Sequence, residues 1–257
     1  MITDKEALAE FIYKRKSVRK YDMTPLSMDI LEDIQAYLDG IEPLYGDIRC
    51  EFTIADNSSM RGLLGLERVM VSAPHYIIAR SEAKGNYNVN IGYMLEYADL
   101  FLSAKGLGSC WLGLTRPKKA DRDGMEFVIT LCFGKPLGSP HRERDGFNRK
   151  PAADFAVTEK DFNLLTDTES FLEGVRLSPS AMNSQPWHIE LKGGGIDIYR
   201  EKLNIFKQII TVDKMNEVDM GIFTAVAFLL AKKQGINLKL ADKEKSLKGY
   251  HYLYTLT

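Results

Sequence analysis

Cysteine is scarce in this chain of 257 residues: Cys50, Cys110 and Cys132 are all there is. The number is odd and no two form a C-x-x-C pair. That favours free thiols in a reducing cytoplasm over a disulfide framework. His75, His141, His188 and His251 are scattered without metal-ligand spacing, so no metal site is expected. No apolar run approaches the roughly 20 residues of a membrane helix. The opening MITDKEALAEF is acidic and amphipathic and lacks the apolar core of a signal peptide. An excess of one charge is also missing: 34 basic against 35 acidic residues give a net charge of -1. A nucleic acid or an anionic membrane is therefore not the expected partner. No Ser-His-Asp grouping or other nucleophile motif can be picked out. What remains is a composition of 45% hydrophobic and 27% charged residues, that of a globular protein able to bury a large core in one domain or two.

Hydrophobic periodicity gives the elements. A first helix is expected with Thr3 as its cap and Leu8, Phe11 and Ile12 on one face. A second carries Ile30, Leu31, Ile34 and Leu38. Glu51 to Ala55 reads as a strand, and Pro74 opens another in Ala73 to Ala79. Asn90 to Lys105 has a broad apolar face and should stop at Gly106. Val128 to Phe133 reads as a core strand, and Leu137 to Lys150 as a surface connection. Thr158 with Asp161 resembles a capping box, followed by helical Phe171, Leu172 and Val175. Trp187 to Leu191 and Ile196 to Arg200 form a hairpin across Lys192-Gly193-Gly194-Gly195, a turn rather than a phosphate loop. Asp219 to Gln234 is a very apolar helix ended by Gly235, and Tyr250 to Leu256 a last strand.

The two most apolar helices share a pattern. Gly92 and Gly221 are 129 positions apart, as are Ala98 and Ala227, Leu100 and Leu229, and Gly106 and Gly235. Either these are unrelated core helices with coinciding glycines, or the chain is a duplication.

Three strings carry chemistry. In Arg15-Lys16-Ser17-Val18-Arg19-Lys20-Tyr21, an extended backbone puts Arg15, Ser17 and Arg19 in one row, donors suited to a phosphate or a carbonyl-rich ring; a solvated basic turn is the plainer reading. Ser178-Pro179-Ser180-Ala181-Met182-Asn183-Ser184-Gln185-Pro186-Trp187 packs small polar residues, amides and rigid prolines before a strand. Gly106-Leu107-Gly108-Ser109-Cys110-Trp111-Leu112-Gly113 is a glycine-rich turn that lets backbone approach a planar ligand. Met182 and Trp187 read as core.

Together these strings resemble the FMN-dependent nitroreductase family. Arg-x-Ser-x-Arg is similar to its opening run, Ser178 to Trp187 to its Pro-Ser-x-x-Asn-x-Gln-Pro-Trp loop, and Arg149-Lys150-Pro151 to its late basic element. The resemblance covers most of the chain. It implies an α+β, nitroreductase-like fold, an antiparallel or mixed sheet with surrounding helices. One departure stands out. The run lies in the first half and the loop in the second, whereas family members carry both in each subunit of a homodimer. The chain therefore looks most like the fused members, two diverged copies with halves at 1–150 and 151–257 and one surviving site. A monomer suffices to make such a site.

The resemblance also implies the chemistry: FMN as cofactor, NAD(P)H as co-substrate, and ping-pong hydride transfer through the flavin to a nitroaromatic or quinone. The flavin does the chemistry, so no catalytic side chain is expected. Arg15 and Arg149 would meet the phosphate, helped by Lys150. Ser17 and Arg19, beside Lys16, would meet the ribityl chain or the polar ring edge. Leu112 and Gly113 would line the ring through backbone. Pro179, Ser180, Ala181 and Asn183 would approach from the second half.

Overall fold

The computed structural model describes residues 5–61, 71–143, 147–202, 210–241 and 243–257. The expected Thr3 cap lies outside them. In the first half, helices α1 (Lys5–Ile12) and α2 (Met28–Asp39) precede strands β1 (Cys50–Asp56), β2 (Met60–Arg61) and β3 (His75–Ser81). Helix α3 (Tyr87–Ala104) follows, then β4 (Gly108–Leu112), β5 (Arg116–Pro117) and β6 (Glu126–Gly134). The second half holds β7 (Ala156–Thr158), α4 (Thr168–Val175), β8 (Trp187–Lys192), β9 (Gly195–Glu201), α5 (Ile210–Lys233), β10 (Leu240–Ala241) and β11 (Tyr250–Leu256).

There are two main sheets, one per half, rather than a single sheet ringed by helices. The first runs β1-β3-β6-β4, antiparallel throughout. The second runs β8-β9-β11-β10, also antiparallel, with β7 added in parallel beside β8. With β2, β5 and β7 set aside, the first two strands of each half are neighbours, a long helix follows, and the last strand pairs between the second and the third. The two halves thus share one strand order about one central helix. A single apolar cluster joins Ile77 and Leu131 of the first sheet, Ile189 and Ile198 of the second, and α3 and α5 between them.

Helix α3 is buried on every side from Asn88 to Ser103. A helix covered on every side is a core helix, which is why its sequence shows so wide an apolar face. It crosses α5 at the two glycines. A Cβ on Gly92 would lie 2.1 Å from the Val218 carbonyl oxygen, and one on Gly221 would lie 2.0 Å from that of Val89. The contact is reciprocal, since Val89 and Val218 keep the 129-residue offset. Both helices end alike. Gly106 and Gly235 have φ of 72° and 76°, where glycine avoids the Cβ penalty. Leu107 N–H donates to Leu102 O at 3.0 Å, and Ile236 N–H to Ala231 O at 2.9 Å.

Three expectations are corrected. The glycine-rich stretch after α3 is not a turn throughout, because Gly108–Leu112 forms edge strand β4. Thr158 ends β7 and caps nothing; α4 begins ten residues later under Asp167, whose side chain accepts from Ser170 N–H at 2.9 Å. Met182 is not core but 99% exposed, whereas Trp187 is buried against Phe223. Among the described residues no helix is long and apolar enough to cross a membrane.

Candidate functional site

The basic run leaves α1 and lies along the edge of the first sheet. Isolated bridges join Arg15 to His141, Ser17 to Ser109 and Tyr21 to Pro136. Val18 N–H donates to Ser109 O at 2.8 Å. Gly108 allows this approach, because a Cβ there would sit 2.8 Å from the Val18 side chain. The row of donors is graded in depth: Arg15 is buried, Lys16 and Ser17 are half-buried, and Arg19 is exposed.

Arg15 reaches inward. Its Nε lies 3.1 Å from Asp99 Oδ2 on α3, yet neither Nε nor Nη2 is aligned with a hydrogen-bond acceptor. Asp99 also accepts from Ser109 Oγ and, at 2.8 Å, from Trp111 Nε1, which ties α3, β4 and the run together.

Residues 135–143 and 147–150 lie over this edge rather than away from it. Arg142 N–H donates to Lys14 O at 2.9 Å, and its guanidinium stacks 4.4 Å from the Phe147 ring. Arg149 Nη1 donates to Asn148 O at 3.2 Å and to Asn183 Oδ1. Lys150 donates twice to Gln185, from N–H to Oε1 at 2.8 Å and from Nζ to the carbonyl at 3.2 Å. Arg149 and Lys150 therefore fasten the connection to the loop after α4.

That loop is held in an unusual shape. Met182, Asn183 and Gln185 have φ of 52°, 58° and 49°, left-handed values that non-glycine residues rarely adopt. Left-handed backbone at three residues persists only where surroundings fix it. Here Asp219 of α5 accepts from Ala181 N–H through both oxygens at 3.0 and 3.1 Å and from Ser184 Oγ at 3.4 Å, while Ser180 Oγ accepts from Gln185 N–H at 3.0 Å. Met182 points outward because the turn around it is pinned on both sides. Burial pushes the Asp219 carboxyl up to about 7, against its two donors. Asn90, 129 residues earlier, does the same work in the first half: its Oδ1 accepts from Tyr45 N–H at 3.0 Å before β1.

The electrostatics of this place are those of an anion site. Burial, then the nearby guanidiniums of Arg15, Arg142 and Arg176, hold Arg149 down to about 10. Burial, then Arg15 and Arg19, also lower Arg142. Like charges gathered in a half-dry place repel. Arg15 Nε and Nη2 and Arg149 Nε are buried without a hydrogen-bond partner among the described residues. A group with several anionic oxygens, such as a phosphate, meets both deficits. A cavity of about 790 Å³ at the start of α4 is lined by Asp167, Glu169 and Glu173 among others and is wrongly charged for that.

The structure thus brings Arg149, Lys150, Ser180, Ala181 and Asn183 into one bonded assembly, with Arg15 near enough for its charge to act on Arg149 and Ser17 on the adjoining edge. Pro179 is buried at the head of the loop. Leu112 is buried on the far face of the first sheet beside Cys110 and Cys132, and Gly113 is exposed, with Met215 Cε 2.6 Å from where its Cβ would lie. Sequence reasoning missed Arg142, Asp99, Gln185 and Asp219. A signal existed for the two acids, each a charge at the border of a long apolar stretch of core helix.

Comparison with known proteins gives the class. The chain belongs to the family described as Putative TM nitroreductase, which it matches over residues 7–231. The particular likenesses are structural. A protein described as a putative nitroreductase from Thermotoga maritima superposes with a TM-score of 0.63 at 23% identity, over 97% of this chain and 92% of that one. A nitroreductase family protein of Clostridium difficile 630 gives a TM-score of 0.45 at 19% identity, over 57% of this chain and 94% of that one. One from Clostridium novyi gives 0.42 at 21% identity, over 54% and 89%. No curated protein matches.

Proposed function

We propose that this chain is an FMN-dependent oxidoreductase that passes reducing equivalents from NAD(P)H to a small acceptor, a nitroaromatic or a quinone, in a ping-pong cycle. The observation that carries the reading is the gathering of the Arg15, Arg142 and Arg149 guanidiniums close enough to repel one another, with Arg149 bonded to a pinned, left-handed loop. Membership of the nitroreductase family supports it. FMN, when bound, supplies the hydride chemistry, so the protein needs no nucleophile of its own.

The chain's residues bind and orient. Arg15 and Arg149 take the phosphate, and Lys150 holds Gln185 and so the loop. Ser17 and Arg19, with Lys16 between them, meet the ribityl chain and the polar ring edge, where positive charge favours negative charge on the ring. Pro179, Ser180, Ala181 and Asn183 close the site from the second half, and Leu112 and Gly113 line it through backbone. Halves 1–150 and 151–257 are read as diverged copies. The common strand order, the reciprocal glycine crossing and the matching roles of Asn90 and Asp219 support that origin. Both sides of the site then come from one chain, and a monomer is expected to be competent.

The visible spectrum of the purified protein tests the reading. A yellow protein that releases FMN on denaturation and oxidises NAD(P)H with a quinone or nitroaromatic supports it. A protein that stays colourless after incubation with excess FMN refutes it. Bound FMN without turnover would make the chain a binding member of its family.

A further inference from the structure

Two carboxyls lie behind the guanidiniums. Glu96 and Asp99 stand one turn apart on α3, both fully buried. Asp99 is satisfied by Ser109, Trp111 and Arg15. Glu96 is not: among the described residues neither of its oxygens has a hydrogen-bond partner. The titratable groups that face it are Asp99 on its own helix and Arg15 on the segment leaving α1. Arg15 is itself short of acceptors at Nε and Nη2. An unpartnered carboxylate is costly in a dry interior, and more so beside a second carboxylate. Burial first, then Asp99, push the Glu96 carboxyl well up, with Arg15 opposing, so it stands as a neutral acid.

We propose that Glu96 is a positioning residue for Arg15, a reserve acceptor that sets whether this guanidinium is available to an anion. As the neutral acid it leaves Arg15 with one carboxylate, Asp99, and with free N–H groups for a phosphate. As the carboxylate it competes for the same N–H groups and draws Arg15 toward α3. The proposal deepens the cofactor reading and takes the ligand's identity from it.

The linkage has a definite sign. A phosphate on Arg15 adds negative charge near Glu96 and weakens its neutralising partner, so Glu96 holds its proton more tightly in the complex than in the free protein. Ligand affinity is then highest while Glu96 is protonated in both states. It falls as pH rises between the two values, by up to about tenfold per pH unit. The ligand's own second ionisation, near pH ~6, acts in the opposite direction, because the dianion binds better.

The test is FMN affinity, read from quenching of flavin fluorescence between pH 6 and 9, for the wild type, Glu96→Gln and Glu96→Met. Two variants guard against one of them misfolding. The expected result is a falling affinity with pH in the wild type and its loss in both variants. Asp99→Asn should weaken binding and move the fall to lower pH, since one cause of the raised Glu96 value is gone. Riboflavin, which lacks the phosphate, should show no fall. Parallel profiles in wild type and Glu96 variants, or the same fall with riboflavin, would overturn the proposal while leaving the cofactor reading intact. If FMN does not bind, the same titration is run with inorganic phosphate, read by thermal shift. A Glu96-dependent fall there sustains the proposal and sinks the cofactor reading; no phosphate binding at any pH sinks both.

Discussion

Arg149 and Asp219 each occupy a place that suits one protonation state poorly, and each therefore makes a measurable prediction. Among the described residues Arg149 donates to two neutral acceptors, Asn148 O and Asn183 Oδ1, while other guanidiniums press on it. Arg149→Ala should weaken FMN binding by about 1.5–3 kcal/mol, the scale of a lost charge-assisted bond, with unfolding little changed. Arg15→Ala should weaken it similarly; unchanged affinity would remove that residue from the site. The Asp219 carboxyl is raised from 3.8 to about 7 by burial. Its contribution to stability is present below pH ~4 and is lost as pH rises through about 7. Asp219→Asn keeps an acceptor for Ala181 N–H and removes the titration. The variant's Tm relative to the wild type should therefore rise between pH 5 and pH 8; equal pH dependence in the two would refute the assignment.

At the scale of elements, the close crossing of α3 and α5 is the most exacting contact. An added Cβ at Gly92 or Gly221 meets a backbone carbonyl at 2.1 or 2.0 Å, and a helix backbone does not yield as a side-chain tip does. Gly92→Ala and Gly221→Ala should each cost about 1–3 kcal/mol, the scale of overpacking, measurable as a lowered midpoint in denaturant. The sequence made α3, α5, β3, β6 and β11 legible because long apolar periods and bounding glycines or prolines are local signals. It misread β4 because Gly-Ser-Cys-Trp has no strand pattern of its own. That segment is a strand through its pairing with β6 and the lie of the basic run against it. α4 was found from Phe171 and Val175, but its cap was misplaced because Asp167 caps through a single bond without a box.

At the scale of the molecule, each half presents an apolar helix whose largest contact is with the helix of the other half. Residues 1–150 or 151–257 alone would expose the face that α3 and α5 share, so neither half should fold independently. Each fragment is expected to lack dispersed amide resonances by NMR, and mixing the two during refolding should restore them. A half that folds by itself would show that its helix is covered from within. The same arrangement explains why the two motifs lie so far apart in the chain. The connection 135–150 carries Arg142 and Arg149 from the first sheet to the loop before the second.

The sequence by itself determined the local quantities: which helices are apolar all round, where glycine must end them, and the residue types of the Arg-x-Ser-x-Arg run and the Asn-x-Gln-Pro-Trp loop. Only the tertiary structure decided the site. Burial of Arg15 against Asp99 and the left-handed loop pinned by Asp219 arise from contacts between residues far apart in sequence. Periodicity reports which face of an element is dry. It does not report which charge from another element will be buried opposite it, and at this site that pairing sets the chemistry.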